Sequence, residues 1–160
     1  MTNIRIIGVG KIREKYLQAG IDEYSKRLSR YCKLDVVEVA DEKIPENASE
    51  KQEVQVRQKE GEQILSHIKE GSYVIALCVE GKQLDSVELS KAIAQTTVNG
   101  KSSITFVIGG SVGLADSVKQ RADMKLSFSK MTFPHQLMRM VLLEQIYRSF
   151  KILGNEVYHK

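Results

Sequence analysis

The 160-residue chain has no tryptophan, two prolines and two cysteines, Cys32 and Cys78. Two cysteines so far apart do not fit a zinc knuckle or a redox pair, so we expect buried thiols and no metal site. No apolar run approaches the ~20 residues of a membrane span, and the first residues lack the apolar core of a secretory signal. We therefore expect a soluble, cytoplasmic protein that forms a single domain over residues 1–160, with no membrane partner.

The net charge is +4, so neither sign of charge dominates the chain as a whole. The charged residues are nevertheless distributed unevenly along the sequence. Residues 1–33 carry eight basic and three acidic residues, and residues 119–160 carry the same numbers, whereas residues 34–118 carry eight and fourteen. Basic ends around an acidic middle suit contact with a polyanion such as nucleic acid, although solvated helix faces give the same pattern. Few aromatic residues lie beside the basic ones, which argues against a stacking platform for single strands.

Strand and helix patterns alternate along the chain. Short apolar runs predict strands at residues 3–9, 34–39, 72–79, 104–108 and 125–129. Helical spacing of apolar residues separates the first two strands, and two capping boxes, Ser49 with Gln52 and Asp85 with Glu88, predict the starts of later helices. This alternation predicts an α/β fold with a mostly parallel sheet and helices on both faces.

The segment that begins near Pro134 is apolar on more than one side. Its apolar residues are Leu137, Met138, Met140, Val141, Leu142, Leu143, Ile146, Tyr147 and Phe150. A helix of this kind must be buried on two sides, and in a small protein the second side is available to another copy of the chain. We expect a twofold homodimer that uses this helix.

Two strand ends with polar or glycine-rich exits predict a ligand cleft, because ligands in open α/β sheets lie beyond the carboxyl ends of the strands. The first exit, Gly109–Gly113, contains the G-x-S-x-G pattern of a hydrolase, with Ser111 as nucleophile. The same glycines would also let main-chain groups approach a flat ligand such as adenine, or they could serve only a tight turn. The second exit places His135 at the start of the long helix, where packing or substrate contact would both suit it.

The chain resembles the RlmH family in several motifs. They are Val9–Lys11, Asp41–Asn47, Val107–Leu114, Leu126–Gln136, Glu144–Arg148 and Tyr158–Lys160, and the likeness extends over the whole chain. The family consists of SPOUT-class methyltransferases that use S-adenosylmethionine to methylate N3 of a pseudouridine in 23S ribosomal RNA of the assembled ribosome. The resemblance implies a SPOUT fold with a deep trefoil knot at about 104–154, a C-terminal tail at 155–160 and a homodimer.

The resemblance also implies roles for individual residues. Those expected around S-adenosylmethionine are Leu77, Gly109, Phe128, Ser129, Lys130, Met131, Thr132 and Phe133. Those expected to orient the base or accept its proton are His135, Arg139, Tyr158 and His159, the last two acting from the partner's tail. Those expected to contact RNA are Lys11, Arg13, Lys15, Arg148 and Lys160. A non-catalytic RNA-binding or ribosome-assembly protein and a Ser111 hydrolase remain as alternatives.

Overall fold

The computed structural model describes residues 1–160 and contains five strands and five helices that alternate along the chain. In order they are β1 (Thr2–Val9), α1 (Lys15–Leu28), β2 (Cys32–Val39), α2 (Glu50–Ser66), β3 (Tyr73–Gln83), α3 (Ser86–Val98), β4 (Ser103–Ile108), α4 (Asp116–Arg121), β5 (Met124–Ser127) and α5 (His135–Leu153). The strands form one parallel sheet in the order β2-β1-β4-β3-β5. The predicted α/β fold is confirmed.

Helices cover both faces of the sheet, as predicted. The larger core joins one face to α1, α3 and α5, and it contains fully buried Phe106 of β4 and Leu142 of α5. The smaller core joins the other face to α2 and α4 through Ile64 and Val118. Because β1 and β4 lie between these two layers, most of their side chains are apolar and buried, which is typical of central parallel strands.

Both predicted capping boxes are formed. The Ser49 hydroxyl accepts from the Gln52 amide at 3.2 Å, and the Gln52 side chain accepts from the Ser49 amide at 2.8 Å. Asp85 and Glu88 make the same reciprocal pair at the start of α3. These bonds satisfy amide groups that have no partner within the helix, so they define where α2 and α3 begin.

The end of β3 departs from the sequence prediction. The strand continues to Gln83 instead of ending at residue 79, and its pairing with β5 moves from Leu77 to Lys82 opposite the same residue, Leu126. Residues 78–81 therefore bulge out of the sheet at the carboxyl end of β3. Strand β5 ends at Ser127, so the last two residues of the predicted fifth strand belong to the loop that follows.

The C-terminal tail is folded back onto α5. The Tyr158 ring packs edge-on against Tyr147 with centroids 5.0 Å apart, and the Arg148 guanidinium lies 4.7 Å from the Tyr158 ring centroid. The trefoil knot expected for residues 104–154 stays a prediction. None of the five helices combines the length and the apolar character required to cross a membrane.

Candidate cofactor cleft and active site

A cleft of about 270 Å³ lies at the carboxyl ends of β3, β4 and β5. It is formed by the residues that follow these strands and by the first turns of α5, so it occupies the place expected for a ligand in a parallel sheet. Seven of the eight predicted cofactor residues line it: Leu77, Gly109, Phe128, Ser129, Met131, Thr132 and Phe133. The eighth, Lys130, is exposed and does not line the cleft.

The glycine segment after β4 folds back on itself to make one wall. The Gly113 amide donates to the Gly110 carbonyl at 3.1 Å, and Gly113 has a φ of 82° that favours glycine. A Cβ on Gly109 would lie only 2.9 Å from the carbonyl carbon of Gly113. Arg57 of α2 also holds this wall, since it donates to the Val112 carbonyl at 3.2 Å. The wall thus exposes main-chain groups. This arrangement favours a role in main-chain recognition of a flat ligand over a role as a tight turn alone.

The hydroxyl of Ser111 makes no hydrogen bond to a histidine ring. The one hydrogen bond that a histidine ring makes in the structure joins His159 to Arg148 at 3.1 Å, far from the glycine segment in the fold. Ser111 itself is exposed at the cleft margin. A serine hydrolase needs a base within hydrogen-bonding distance of its nucleophile, so the geometry gives the hydrolase alternative no support.

The segment after β5 makes the opposite wall. The Ser127 hydroxyl donates to the Ser129 carbonyl at 3.0 Å, and the Ser129 hydroxyl accepts from the Met131 amide at 3.0 Å. These bonds hold a compact turn from which Met131 and Phe133 project, and they are 74% and 40% exposed. Exposed large apolar side chains beside a cleft provide surface that a bound ligand would cover.

The bulge at residues 78–81 forms the third side of the cleft, and sequence reasoning missed it. Glu80 pairs with Lys119 of α4 at 2.5 Å, and both residues line the cleft. The hydrogen bond from Lys119 lowers the pKa of Glu80, so this rim carries a fixed pair of opposite charges. Nothing in the apolar strand pattern signals this pair, because it depends on how far β3 runs past β5.

His135 is the first residue of α5 and lines the cleft. Burial lowers its pKa, the nearby Asp41 and Glu14 carboxylates oppose this shift, and the Arg139 guanidinium adds to it. The imidazole is therefore neutral near pH 7, with one ring nitrogen able to accept a hydrogen bond or a proton. Among the predicted catalytic residues, His135 is the one that the cleft lining includes.

Arg139 lies one turn further along α5 but does not line the cleft. Its side chain is 1% exposed and turns toward the ends of β1 and β2, where it pairs with Glu38 at 2.7 Å. It also donates to the carbonyls of Val9 and Gly10 at 3.4 and 3.2 Å. Burial lowers the pKa of Arg139 and the hydrogen bond that Arg139 donates to Glu38 opposes this, but the group keeps its charge.

A buried acid that the sequence did not reveal lies behind the glycine wall. Glu60 of α2 is 2% exposed, its Oε2 accepts from the Glu42 amide at 3.1 Å, and its Oε1 has no hydrogen-bond donor. This Oε1 lies 3.3 Å from the position of a Cβ on Gly110. Burial raises the pKa of Glu60 to about 7, and the neighbouring Asp41 carboxyl adds to the shift. The position of Glu60 in a highly charged helix gave no reason to expect that its side chain is buried.

Tyr158 and His159 lie at the other end of α5 from His135. They contact Glu144 and Arg148, which are bound to each other at 2.8 Å. Arg148 is thirteen residues after His135, which corresponds to about 20 Å along an α-helix. Within one chain, the structure therefore brings His135 to the cleft but leaves these two predicted catalytic residues outside it.

The predicted RNA-contacting residues form two separate groups. Lys11, Arg13 and Lys15 are exposed in the loop after β1 and at the start of α1. Arg148 and Lys160 belong to the distant end of α5 and the tail. No group of three or more His, Cys, Asp or Glu side chains is arranged to hold a metal ion.

Residues 2–159 match a family model described as "Predicted SPOUT methyltransferase". The chain is 63% identical to "Ribosomal RNA large subunit methyltransferase H" of Clostridium novyi (strain NT), and the alignment of 158 residues covers 99% of each protein. It is 61% identical to the protein of the same name from Clostridium botulinum (strain Kyoto / Type A2), again over 99% of each.

A likeness of fold extends to a solved structure, that of a probable methylase family protein from Haemophilus influenzae Rd KW20. The TM-score is 0.54 and the sequence identity is 14%, and the match covers 99% of this chain and 71% of the other. At this identity the likeness concerns the fold alone.

Proposed function

The chain belongs to the SPOUT methyltransferase family, and from this premise we propose that it methylates N3 of a pseudouridine in 23S ribosomal RNA of the assembled ribosome, with S-adenosylmethionine as methyl donor. The observation that carries the proposal is the cleft at the ends of β3, β4 and β5, where seven of the eight expected cofactor residues meet. The names of the relatives above support ribosomal RNA as the substrate class.

The residues present fit S-adenosylmethionine. The Gly109 position admits no Cβ, so main-chain groups of the glycine wall can approach an adenine edge closely. Leu77, Phe128 and Phe133 offer apolar surface to the ring system, and the turn at Ser129 presents further main-chain polar groups. When bound, the cofactor supplies an electrophilic methyl group on a sulfonium centre.

The side chains of the cleft then orient the base and handle its proton. Pseudouridine N3 carries a weakly acidic proton that must leave as the nitrogen attacks, so a neutral acceptor or a positive field beside N3 lowers the barrier. His135 is neutral near pH 7 and faces the cleft, which suits it to hydrogen-bond the base or accept this proton. Positioning of the two reactants supplies much of the remaining rate enhancement.

A homodimer completes this site. Tyr158 and His159 are about 20 Å along α5 from His135 of their own chain, so a partner subunit must bring them to the cleft. Side chains on the outer part of α5, including Met140, Val141 and Ile152, are only half-buried within one chain and provide apolar contact area for that partner. A sedimentation experiment at micromolar concentration should show a dimer, and a monomer would contradict this part of the proposal.

The first test is methyl transfer from radiolabelled S-adenosylmethionine to ribosomes that lack the modification, with the labelled nucleotide identified by mass spectrometry. Label at N3 of a large-subunit pseudouridine is expected. Absence of label, with S-adenosylmethionine still bound by calorimetry, would refute the proposed substrate. Absence of binding would instead favour a non-catalytic RNA-binding or ribosome-assembly protein.

Deletion of residues 158–160 tests the role of the tail. We expect methyl transfer to be lost while S-adenosylmethionine affinity stays within about twofold of wild type, because seven of the eight expected cofactor residues line the cleft and the tail is expected to act on the base. Replacement of Lys160 alone separates the loss of this expected RNA contact from the loss of Tyr158 and His159. Parallel loss of activity and of cofactor affinity would contradict the assignment.

A further inference from the structure

The loop between β1 and α1, residues 10–14, is held by its main chain at alternate residues. The Gly10 amide donates to the Val39 carbonyl at 2.8 Å, and the Gly10 carbonyl accepts from Arg139 at 3.2 Å. The Ile12 amide donates to Glu38 Oε2 at 3.2 Å, and its carbonyl accepts from Gln18 at 2.7 Å. Two positions of a short loop thus have all their main-chain groups bound.

The residues between and beyond these fixed positions face solvent. Ile12 is 8% exposed, whereas Lys11 and Arg13 on either side of it are exposed. Ile12 is thus fixed inward, while the basic side chains on either side of it are directed outward. The direction of these two charges is therefore set by the contacts of Gly10 and Ile12.

One ion pair, between buried Arg139 and partly exposed Glu38, makes the central contacts. Glu38 Oε2 accepts from both the Arg139 guanidinium and the Ile12 amide, and Arg139 in turn binds the Gly10 carbonyl. The guanidinium crosses β1 directly above Gly8, where a Cβ would lie 2.4 Å from its Nη2. Glu38 and Arg139 together form a clamp that ties the loop to the helix whose first residue is His135.

If the clamp served stability alone, the burial of its charged guanidinium would be energetically unfavourable. Arg139 is fully buried, its Nε has no acceptor, and its one carboxylate partner is 38% exposed. Apolar residues that replace buried ion pairs often leave a protein equally stable or more stable, so the burial of the Arg139 charge is weak evidence for a stabilising role. Its contacts with main-chain groups of a basic loop point to a positioning role instead.

We propose that Glu38 and Arg139 are positioning residues, which hold the 10–14 loop so that Lys11 and Arg13 bind the phosphates of the ribosomal RNA beside the cleft. The inference rests on the proposed function and adds to it how the RNA backbone is engaged. It also gives Arg139 a role without contact to the reacting base. The carboxylates of Asp41 and of Glu14, which belongs to the same loop, oppose the lowering of the pKa of His135. This effect is consistent with a loop that borders the cleft.

Three variants loosen the clamp in different ways. Glu38→Gln removes the carboxylate charge, Arg139→Lys removes the forked donor, and Gly8→Ala keeps both charges but displaces the guanidinium by steric contact. Asp35→Asn is the matched control, because Asp35 forms an arginine pair with Arg5 at 2.5 Å on the same two strands, at the end remote from the loop.

The experiment measures equilibrium binding to ribosomes as a function of salt, together with KM, kcat and S-adenosylmethionine affinity. Each clamp variant should weaken ribosome binding and raise KM on the order of tenfold, and should reduce the salt slope by about 2, one for each lost phosphate contact. Values of kcat and cofactor affinity should stay near wild type. The Lys11→Ala/Arg13→Ala double variant should show the same loss, with little further loss when it is combined with Glu38→Gln.

A fall in kcat with unchanged KM and salt slope would overturn the proposal and place Arg139 at the reacting base. Wild-type binding by all three clamp variants would also overturn it. Thermal unfolding of each variant, compared with Asp35→Asn, confirms that the assays are run on folded protein. Ribosome binding is read without methyl transfer, so failure of the proposed reaction would be seen separately in the wild-type activity assay.

Discussion

Glu60 places an ionisable carboxyl where water does not reach, between the glycine wall and the Asp41–Glu42 segment. Burial raises its pKa from 4.5 to about 7, with Asp41 contributing. Between these two values the folded protein holds a proton that the unfolded chain has released, so the free energy of unfolding falls as pH rises from about 4.5 to 7. His135 has the opposite effect: its lowered pKa removes stability as pH falls below about 6.5.

Glu60→Gln should remove the dependence of the free energy of unfolding on pH that Glu60 causes. The amide can still accept from the Glu42 amide and, unlike a carboxylate, can donate to Asp41, so we expect about 2 kcal/mol more stability than wild type at pH 8 and little difference at pH 5. Urea unfolding of both proteins at several pH values measures this difference, from which the contribution of His135 cancels. Glu62→Gln, an exposed site on the same helix, is the control. A difference independent of pH would contradict the titration of Glu60.

At the scale of single residues, the sequence predicted the cleft lining better than the buried charges. The lining residues follow directly after apolar strands, and the parallel arrangement brings those strand ends together, so local pattern and family motif were sufficient. Glu60 and Arg139 are different, because their burial depends on which glycine of a distant segment they meet. Gly110 and Gly8 leave the space for them, and no periodicity in α2 or α5 reveals that pairing.

At the scale of elements, the same limit applies to the end of β3. Its apolar core predicted a strand, but its extension to Gln83 and the bulge at residues 78–81 arise from pairing with β5, a contact between segments far apart in the chain. The bulge brings Glu80 to Lys119 and so shapes the cleft rim. Helix starts were predictable because capping boxes are local, and both were confirmed.

Gly81 tests whether the bulge maintains the cleft. A Cβ at this position would lie 2.7 Å from main-chain atoms of Leu126 in β5, so Gly81→Ala must push β5 away from β3. We expect a loss of roughly 1–3 kcal/mol in stability and at least tenfold weaker S-adenosylmethionine binding, since the second cleft wall follows β5 directly. Calorimetric titration checks this, with Val98→Ala, an exposed site at the end of α3 that does not line the cleft, as control. Wild-type affinity in Gly81→Ala would contradict the role of the bulge.

At the scale of the whole molecule, the functional residues are divided between two regions. His135, the cleft and the 10–14 loop lie at the carboxyl edge of the sheet, whereas Arg148, Tyr158, His159 and Lys160 lie at the far end of α5. A single chain therefore carries both halves of the proposed site without joining them, and an antiparallel partner on α5 would place each tail beside the other subunit's cleft.

Mixed dimers test this arrangement directly. One variant has a damaged cleft, Gly109→Ala, whose Cβ would meet the Gly113 main chain at 2.9 Å, and the other lacks residues 158–160. Each alone should be inactive. After exchange of subunits in an equal mixture, half of the molecules are mixed dimers, and each has one intact cleft facing one intact tail, so roughly a quarter of wild-type methyl transfer should return. If tail and cleft instead acted within one chain, neither subunit of a mixed dimer would be complete, and mixing would restore no activity.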